Sequence, residues 1–422
     1  DMATVVVPST REEIASNPNL PKVVVGADGS ALYFSRSEIP FLRTGGTDMP
    51  LYRHWGIYAY RRSALERFVS LPESPLEKCE KLEQLRALEN GMKIKVVKTH
   101  FQSIGIDTPE DLERAVNAMK RALQYLVYLA ALVFMKIMEH LPRCTFHVLA
   151  WLFSWPAMLL PQIGGLVRAN IRCAFPEKEG KEVFSLSRRC IATLILTVCE
   201  FFWFHNKPEK IREMVDIQSN LAQVAKDAAK CLEEGRPVIF ITPHHGNWEF
   251  SGMVLGIVFG FKMATVVRTP RNPYLGKLIT GGRSVKNVQI IESRGGMLKL
   301  VHAMETGSAA GMLVDQNIKV RNGGAFVNMF GLPCPVTRFP GTMVLKKNAY
   351  IGVGSCIRMP NGHFKATMDP LPKPASEYTS EEEVIQDIMT MTEKLIRMAP
   401  EQYLWLYKRF QYIPPDGSAE LR

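Results

Sequence analysis

The segment RPVIFITPHHGNWEF, residues 236–250, combines two histidines and a glutamate whose types and spacing suit acid–base chemistry. His244 is followed, after four intervening residues, by Glu249. An imidazole near its working pKa can take a proton from an alcohol, and a carboxylate on its other nitrogen can fix the tautomer and stabilise the imidazolium. The spacing therefore favours a histidine general base with Glu249 as its partner.

Two other interpretations use the same residues. His245 and Glu249 are one helical turn apart and could bind zinc, although the nearby sequence offers no third ligand and no H-E-x-x-H motif. A histidine that only caps the turn is the purely structural interpretation. The segment by itself leaves all three interpretations open.

A strand and a helix must position these residues. Val238–Ile241 is β-branched and aromatic, as expected of a buried strand, and Asn247 precedes an apolar run typical of a helix. His244, His245 and Glu249 would then lie on the turn at the C-terminal edge of a sheet. Open α/β sheets usually place their chemistry at that edge.

The same alternation continues along the second half of the chain. Strands are predicted at 237–242, 263–268, 288–292, 310–314 and 350–356, and helices at 296–305, 337–347 and 381–398. Strands that alternate with helices predict an α/β domain, a mixed sheet flanked by helices, over residues 167–422.

Charge is distributed unevenly along the chain. Residues 1–120 contain 16 basic and 16 acidic side chains, so the net charge of +11 belongs entirely to residues 121–422. That basic excess suits anionic lipid or an acidic carrier protein. Zinc-finger spacing and basic runs interleaved with aromatics do not occur in the sequence, which argues against nucleic acid as a partner. The eight cysteines are scattered and are predicted to be reduced thiols.

Residues 1–120 show a second α/β pattern. Strands are predicted at 22–25, 31–35, 56–60 and 93–97, with helices that begin after Ser74 and Thr108. Four segments stand out: ALYFSRSEIP, HWGIYAYR, SPLEKCEKLEQLRALENG and SIGIDTPEDLERA. In this order they resemble the C-terminal half of the CMP-Kdo synthetases, the 3-deoxy-manno-octulosonate cytidylyltransferases. The resemblance implies a partial nucleotidyltransferase-like α/β domain.

This resemblance also implies roles for individual residues. Contacts to the sugar acid would come from Arg36, His54, Tyr58, Glu83 and Gln84, and Asp107 would ligate Mg²⁺. A basic side chain can form a charge-assisted hydrogen bond with the sugar carboxylate, and a hard cation prefers carboxylate oxygen. The alternative is structural. His54 would then be a strand histidine whose hydrogen bonds are made within the protein, Asp107 part of a turn, and Glu83 and Gln84 part of a solvated helix face.

The N-terminal half of that family, with its basic phosphate-binding loop and first metal-binding aspartate, has no counterpart in this sequence. CTP and Kdo as substrates, and Mg²⁺ as cofactor, are therefore expected only if that half is restored upstream. Asp1 is not an initiator methionine, so the sequence is expected to begin inside a longer parent protein.

An apolar segment joins the two α/β patterns. Ala122–Met138 lacks proline and glycine and is apolar apart from Gln124 and Lys136, a little short of the roughly 20 residues that a spanning helix needs. A second stretch, 146–166, contains prolines, paired glycines and two tryptophans. We interpret residues 121–166 as a membrane anchor with an interfacial hairpin. A pair of buried core helices is the alternative.

Six segments follow one another in the second half: NIRCAFPEKEG, TPHHGNWEF, VVRTPRNP, LVDQN, FGLPCPVT and PEQYLWLYKRF. In this order they resemble the late acyltransferases of lipid A biosynthesis, within the lysophospholipid acyltransferase superfamily, over residues 121 to about 412. Tyr407 and Phe410 stand where many relatives have histidine and tryptophan, and Cys334 stands where alanine is more usual. Because these departures concern the end of the chain rather than the catalytic turn, they bear on acyl-chain or acceptor preference more than on reaction type.

The second resemblance implies direct acyl transfer without a cofactor. It selects His244 over His245 as the base and makes Glu249 its partner. His244 would deprotonate a hydroxyl of a 3-hydroxyacyl chain on a Kdo-bearing lipid A precursor. That oxygen would attack the thioester of acyl carrier protein, so no covalent acyl-enzyme is required.

Further residues and a location follow from the same resemblance. Arg268 and Arg283 would hold acceptor phosphate, and Asp315 would shape the pocket; surface arginines and a turn aspartate are the alternatives. The implied location is the cytoplasmic face of the bacterial inner membrane. Competing functions are a phospholipid-type glycerol phosphate acyltransferase and a nonenzymatic membrane scaffold.

Overall fold

The computed structural model describes residues 1–10, 17–41, 51–101, 106, 109–205, 207, 209–283, 287–293 and 295–411. The side chains of residue 205 and residues 280–283 are outside this description. Contacts between Cα atoms divide the chain into two units, Asp1–Ala122 and Leu123–Arg422.

The first unit is built on a five-stranded sheet in the order β3-β2-β4-β1-β5. β1 and β5 run parallel, and the other three neighbouring pairs run antiparallel. The strands are β1 (Met2–Ser9), β2 (Lys22–Val25), β3 (Ala31–Ser35), β4 (Leu51–Tyr60) and β5 (Ile94–Lys98). Val6, Phe34, Leu85 and Ile94 are fully buried and form the centre of its core.

Three short helices, α1 (Arg62–Ser70), α2 (Pro75–Glu80) and α3 (Gln84–Glu89), lie between β4 and β5. The charged run after Ser74 predicts one continuous helix, but the structure breaks it into α2 and α3. The break comes at Lys81, whose φ of 53° is left-handed and ends α2. Ser74 begins α2 with a capping box, in which its side chain and that of Glu77 each accept a backbone N–H from the other residue.

The second unit contains a seven-stranded sheet in the order β6-β14-β13-β7-β10-β8-β9. All neighbouring pairs are parallel except β13 and β14, so the predicted mixed sheet is confirmed. Its strands are β6 (Val215–Ile217), β7 (Val238–Ile241), β8 (Met263–Val267), β9 (Val288–Glu292), β10 (Ala309–Met312), β13 (Tyr350–Arg358) and β14 (Phe364–Pro370). A separate hairpin pairs β11 (Gly324–Met329) with β12 (Leu332–Thr337).

Helices flank this sheet. The α-helices are α4 (Pro109–His140), α5 (Arg143–Leu159), α6 (Leu166–Ala174), α7 (Gly180–His205), α8 (Lys210–Met214), α9 (Ser219–Glu233), α10 (Trp248–Met253), α11 (Pro273–Arg283), α12 (Gly296–Glu305), α13 (Phe339–Lys347) and α14 (Glu381–Met398). Single π-helical turns follow at Pro161–Gly165 and Val254–Val258, and 3₁₀ turns at Val320–Asn322, Ala375–Glu377 and Pro400–Gln402.

Strand β7 lies between two apolar cores. Its four residues are all buried, and successive side chains of a strand point to opposite faces. Ile239 and Ile241 therefore belong to one core, together with α6, α13 and α14, while Val238 and Phe240 belong to another with α9 and α10. Burial on both faces explains why this strand reads as a continuous apolar run.

The predicted anchor region is helical and largely exposed. Among the described residues, α4 is the one helix long and apolar enough to cross a membrane, and α5 with Pro161–Ala174 forms an apolar pair bent by 92°. Phe146 and Ala150 of α5 are buried, whereas Trp151 and Phe153 are 56% and 55% exposed. Because such helices also occur in soluble proteins, the membrane anchor stays a prediction.

Candidate active site

Parallel pairing of two strands brings a histidine and an aspartate together. β10 pairs with β7 so that Met312 lies beside Ile241. His244 and Asp315 each stand three residues beyond these partners and leave the sheet at the same edge. The backbone N–H of His244 donates to Oδ2 of Asp315 (2.9 Å), and its Nδ1 lies 2.8 Å from Oδ1.

The carboxylate of Asp315 sets the tautomer of His244. An ionised carboxylate only accepts hydrogen bonds, so Nδ1 of His244 carries the proton and Nε2 is left to accept one. Asp315 is 2% exposed and also accepts a hydrogen bond from the Tyr403 hydroxyl. Burial raises the pKa of the Asp315 carboxyl, but the bonds and charge of His244 and the charge of Arg409 outweigh burial and lower this pKa to about 2.

The sequence predicts Glu249 at Nδ1 of His244, but the structure places Asp315 there. Glu249 lies in the first turn of α10 and lines the same cavity as His244. Spacing within one segment identifies neighbours along that segment, whereas Asp315 is delivered by an adjacent strand 71 residues away in sequence. Asp315, predicted only to shape the pocket, is therefore the partner of the histidine.

His245 has a structural role. It is fully buried, and its Nε2 donates to the carbonyl oxygen of Ala399 (2.9 Å). Burial lowers the pKa of His245 to about 4, so this imidazole is neutral at ordinary pH. Of the described residues, no three His, Cys, Asp or Glu cluster as a metal site requires. The structural interpretation of the sequence therefore fits His245, while His244 faces the cavity.

The turn after His244 is held against β13. Gly246 has a φ of 66°, and a Cβ there would lie 2.0 Å from the carbonyl oxygen of Cys356, so only glycine fits. Asn247 donates its backbone N–H to that same oxygen (2.8 Å). Its side-chain oxygen accepts the N–H of Phe250 (3.0 Å) and caps α10.

A buried ion network supports this turn from behind. Asn247 donates its side-chain amide to Glu200 (3.0 Å), which is 1% exposed on α7. Arg143 contacts the other carboxylate oxygen at 2.8 Å, and Arg358 of β13 binds both oxygens. Burial raises the pKa of Glu200, but the charges and bonds of the two arginines outweigh it and lower this pKa. The sequence offered no signal for this network, because its members are scattered over four segments.

The C-terminal segment completes the site. Leu404 donates its N–H to the carbonyl oxygen of His244 (2.9 Å), and the Tyr407 hydroxyl accepts the N–H of Asn317 (3.0 Å). Arg409, 2% exposed, donates to the side-chain oxygen of Asn317 (2.9 Å). The sequence treats Tyr407 as remote from the catalytic turn, and the structure corrects this, because Tyr407 holds the loop that follows Asp315.

An apolar cavity of about 330 Å³ opens beside His244. One row of paired residues from four strands forms its floor: Phe240, Gly311, Thr265 and Ile290. Trp248, Gly252 and Leu255 cover it from the side of α10. The volume lies within the roughly 300–1,000 Å³ typical of small-molecule sites. The cavity can therefore take an apolar chain whose end group reaches His244.

Polar side chains lie among the residues that line the cavity. They include Arg268, which is exposed, and Gln316, whose Nε2 is 3.3 Å from Nε2 of His244. Arg268 thus shares a cavity with His244, and its predicted phosphate contact stays a prediction. Arg283 ends α11, but its side chain lies outside the described atoms, so its predicted phosphate contact stays a prediction.

In the first unit, His54 and Tyr58 lie side by side, with ring centroids 5.3 Å apart. His54 is 7% exposed, and its Nε2 is 2.7 Å from Oγ1 of Thr4. Burial lowers the pKa of His54 to about 4. His54 is therefore neutral at ordinary pH, so its predicted contact with the sugar acid would be a hydrogen bond rather than an ion pair, and that contact stays a prediction.

The other predicted sugar contacts differ in their environments. Glu83 is exposed. Burial is the main cause that raises the pKa of Tyr58, and the negative charge of Glu83 is the next, so the two side chains are close. Gln84 is 2% exposed, and its Nε2 has no hydrogen-bond partner within the described part of the chain. Arg36 donates to the carbonyl oxygens of Glu80 and Pro18. Asp107 lies outside the described residues.

Two family models match the chain. One, described as bacterial lipid A biosynthesis acyltransferase, matches residues 114–412. The other, described as cytidylyltransferase, matches residues 1–94. The predicted fusion of two families in one chain is thereby confirmed.

Curated relatives match the first region. The 3-deoxy-manno-octulosonate cytidylyltransferase of Wolinella succinogenes is 56% identical over 108 residues, which are 25% of this chain and 44% of the relative. That of Paramagnetospirillum magneticum is 52% identical over 125 residues, 28% of this chain and 49% of the relative. The chain spans about half the length of the curated relatives it matches.

A solved structure of CMP:2-keto-3-deoxy-manno-octonic acid synthetase complexed with CTP is 40% identical. The match covers 29% of this chain and 49% of that chain, with a TM-score of 0.27.

We predict that Glu200→Ala destabilises the second unit by about 3–5 kcal/mol, because it leaves the buried charge of Arg358 and the partly buried charge of Arg143 without their counter-charge. Glu213→Ala is the matched control; its exposed pair with Lys210 contributes about 0–1 kcal/mol. Denaturant unfolding in detergent, followed by tryptophan fluorescence, measures both, since five of the six tryptophans lie in the second unit. Equal losses for the two variants would contradict the assigned role of Glu200.

Proposed function

Because this chain belongs to the bacterial lipid A biosynthesis acyltransferase family, we propose that it transfers an acyl group to a hydroxyl of a lipid A precursor. The observation that carries this proposal is the pairing of His244 with the buried, ionised Asp315 beside an apolar cavity. A base, a hydrophobic chain site and an exposed arginine are the parts that acyl transfer between lipids requires.

The proposed chemistry is one direct displacement. Nε2 of His244 takes the proton of the acceptor hydroxyl as its oxygen attacks the thioester carbonyl carbon. The C–O bond forms, the C–S bond breaks, and the proton passes from the imidazolium to the leaving sulfur. Asp315 stays ionised throughout and stabilises the imidazolium. No covalent bond to the protein is needed.

The donor and acceptor are assigned by chemistry. The cavity would hold the acyl chain, with the thioester beside His244. We propose acyl carrier protein as the donor, since the basic excess of residues 121–422 suits an acidic protein. Arg268, and Arg283 with it, would bind phosphate of a Kdo-bearing acceptor. The cytidylyltransferase region favours that acceptor, because it belongs to a family that activates Kdo.

The wild-type chain should acylate a Kdo-bearing lipid A precursor from acyl carrier protein, and His244→Ala should lower kcat by about 10²–10⁴-fold, the usual contribution of a general base. Mass spectrometry of the lipid product measures transfer. Lysophosphatidate, offered in parallel, tests the glycerol phosphate alternative. A wild-type chain inactive with every donor and acceptor would favour the membrane scaffold.

The partner of His244 can be tested in the same assay. Asp315→Asn should cost on the order of 10⁴-fold in kcat, because an amide no longer enforces the tautomer with the proton on Nδ1. Glu249→Gln should cost less, since Asp315 already occupies Nδ1. The reverse order would restore Glu249 as the partner and refute the assignment of Asp315.

We further propose that residues 121–166 bind the cytoplasmic face of the bacterial inner membrane. Support comes from the length and composition of α4 and from the exposed aromatic side chains of α5. Tryptophans at 151 and 155 suit the bilayer interface, and anionic lipid suits the basic excess of this half.

Trp151→Asp with Phe153→Asp should weaken binding to vesicles that contain phosphatidylglycerol, because charge replaces apolar area at the interface. Cosedimentation of the purified full chain measures this binding. Leu298→Asp, on the 81% exposed leucine of α12, is the matched control and should bind as the wild type does. Unchanged binding by the double variant would place the lipid-binding surface elsewhere.

For the first unit we propose a sugar-acid site that is incomplete in the 422 residues. The candidate contacts are Arg36, His54, Tyr58, Glu83 and Gln84, and the buried unpartnered amide of Gln84 supports a polar ligand there. Mg²⁺ is assigned to Asp107 by resemblance alone, and elsewhere in the described chain no three suitable ligands cluster.

Purified as these 422 residues, the chain should form no CMP-Kdo from CTP, Kdo and Mg²⁺, because it spans about half of the cytidylyltransferases it matches. Chromatographic detection of CMP-Kdo gives the readout. A full-length cytidylyltransferase, assayed with the same substrates under the same conditions, is the positive control. Turnover by the chain would overturn the view that an essential half is missing.

A further inference from the structure

Acyl transfer places negative charge on the thioester carbonyl oxygen, and a hydrogen-bond donor must meet that oxygen. The turn that carries His244 is the usual place to find backbone donors, but here four of its N–H groups are already used. The N–H groups of residues 244–247 donate, in order, to Asp315, to the carbonyl oxygen of Pro243, to that of Gln402 and to that of Cys356. These four N–H groups are therefore not open to the thioester oxygen, which directs attention to side-chain donors beside His244.

Gln316 is placed to do so. Its Nε2 lies 3.3 Å from Nε2 of His244 and lines the cavity proposed for the acyl chain. Because Nδ1 of His244 carries the proton, Nε2 offers a lone pair, and the Gln316 amide is the donor in this contact. In a reaction complex the acceptor hydroxyl takes that lone pair, which releases the amide N–H beside the attacked carbonyl.

The backbone around Gln316 is fixed on both sides. Asp315 before it is buried and bonded to His244. Asn317 after it donates its N–H to the Tyr407 hydroxyl, donates its amide to the carbonyl oxygens of residues 408 and 409, and accepts from Arg409. The backbone that carries Gln316 is thus held in place beside His244, which favours a donor at a fixed distance from the reacting carbonyl.

We propose that Gln316 is a catalytic residue whose side-chain amide donates a hydrogen bond to the thioester carbonyl oxygen as that oxygen gains negative charge. The proposal rests on the proposed acyl transfer and adds a group to its mechanism. Arg268, a cationic side chain that lines the same cavity, then serves the acceptor rather than the thioester.

Gln316→Ala and the isosteric Gln316→Glu should each lower kcat by about 10²–10³-fold, the loss that follows removal of one oxyanion donor. KM for the acyl donor should change little, because the bond forms in the transition state. The melting temperature should stay near that of the wild type, since the Gln316 side chain is exposed. Asn317→Ala, by contrast, should lower the melting temperature, because it removes several anchoring bonds.

Three controls make the outcome decisive. Gln289→Ala, on the exposed glutamine of β9, should leave kcat unchanged. Arg268→Ala should raise KM for the lipid acceptor instead of lowering kcat alone. Thioester hydrolysis, with water in place of the lipid, is measured in parallel and should fall equally in both Gln316 variants, because the same oxygen gains charge.

A Gln316→Ala enzyme with kcat within threefold of the wild type, or one that loses activity only through KM, would overturn this role. A wild-type chain that neither transfers nor hydrolyses any acyl thioester would instead overturn the proposed function itself. The two failures are distinguished by the wild-type reaction alone.

Discussion

A carboxylate sealed from water must keep its counter-charges, and Glu200 imposes this constraint on the acyltransferase unit. Arg143, Arg358 and Asn247 come to it from the start of α5, from β13 and from the turn after His244. Four segments that share no local sequence are thus fixed to one point. The position of the turn that carries His244 follows from that point, because Asn247 both satisfies Glu200 and caps α10.

Much of the second unit follows from local pattern. β9, α12 and α14 have the bounds that periodicity predicts, since each is an amphipathic or β-branched run between clear breaks. β6, β14 and the hairpin of β11 and β12 were not predicted: β6 has three residues and pairs with a strand about 150 residues away, and β12 contains two prolines. Local pattern therefore identifies elements whose own sequence has a clear apolar periodicity between clear breaks.

The sequence predicts a histidine–carboxylate pair at this turn, but not which carboxylate pairs with His244. One segment contains His244 and Glu249, so the sequence offers that pair, yet the sheet register delivers Asp315 to the imidazole. Register between strands 71 residues apart is a tertiary property that no spacing rule records. In the first unit, likewise, resemblance names His54, while only burial shows that this imidazole is neutral. Residue identity gives candidates, and environment decides their charge.

The bonds from residues 399–409 to His244, His245, Asp315 and Asn317 have a consequence for biosynthesis. A ribosome makes the histidine turn about 150 residues before it makes the segment that holds the turn in place. A nascent chain that has reached residue 398 already contains His244, Asp315 and the Glu200 network, but not the bonds that residues 399–409 add to them. The set of contacts around His244 and Asp315 is therefore complete only once residues 399–409 have been made, and a chain that stops at residue 398 would hold this pair by the earlier contacts alone.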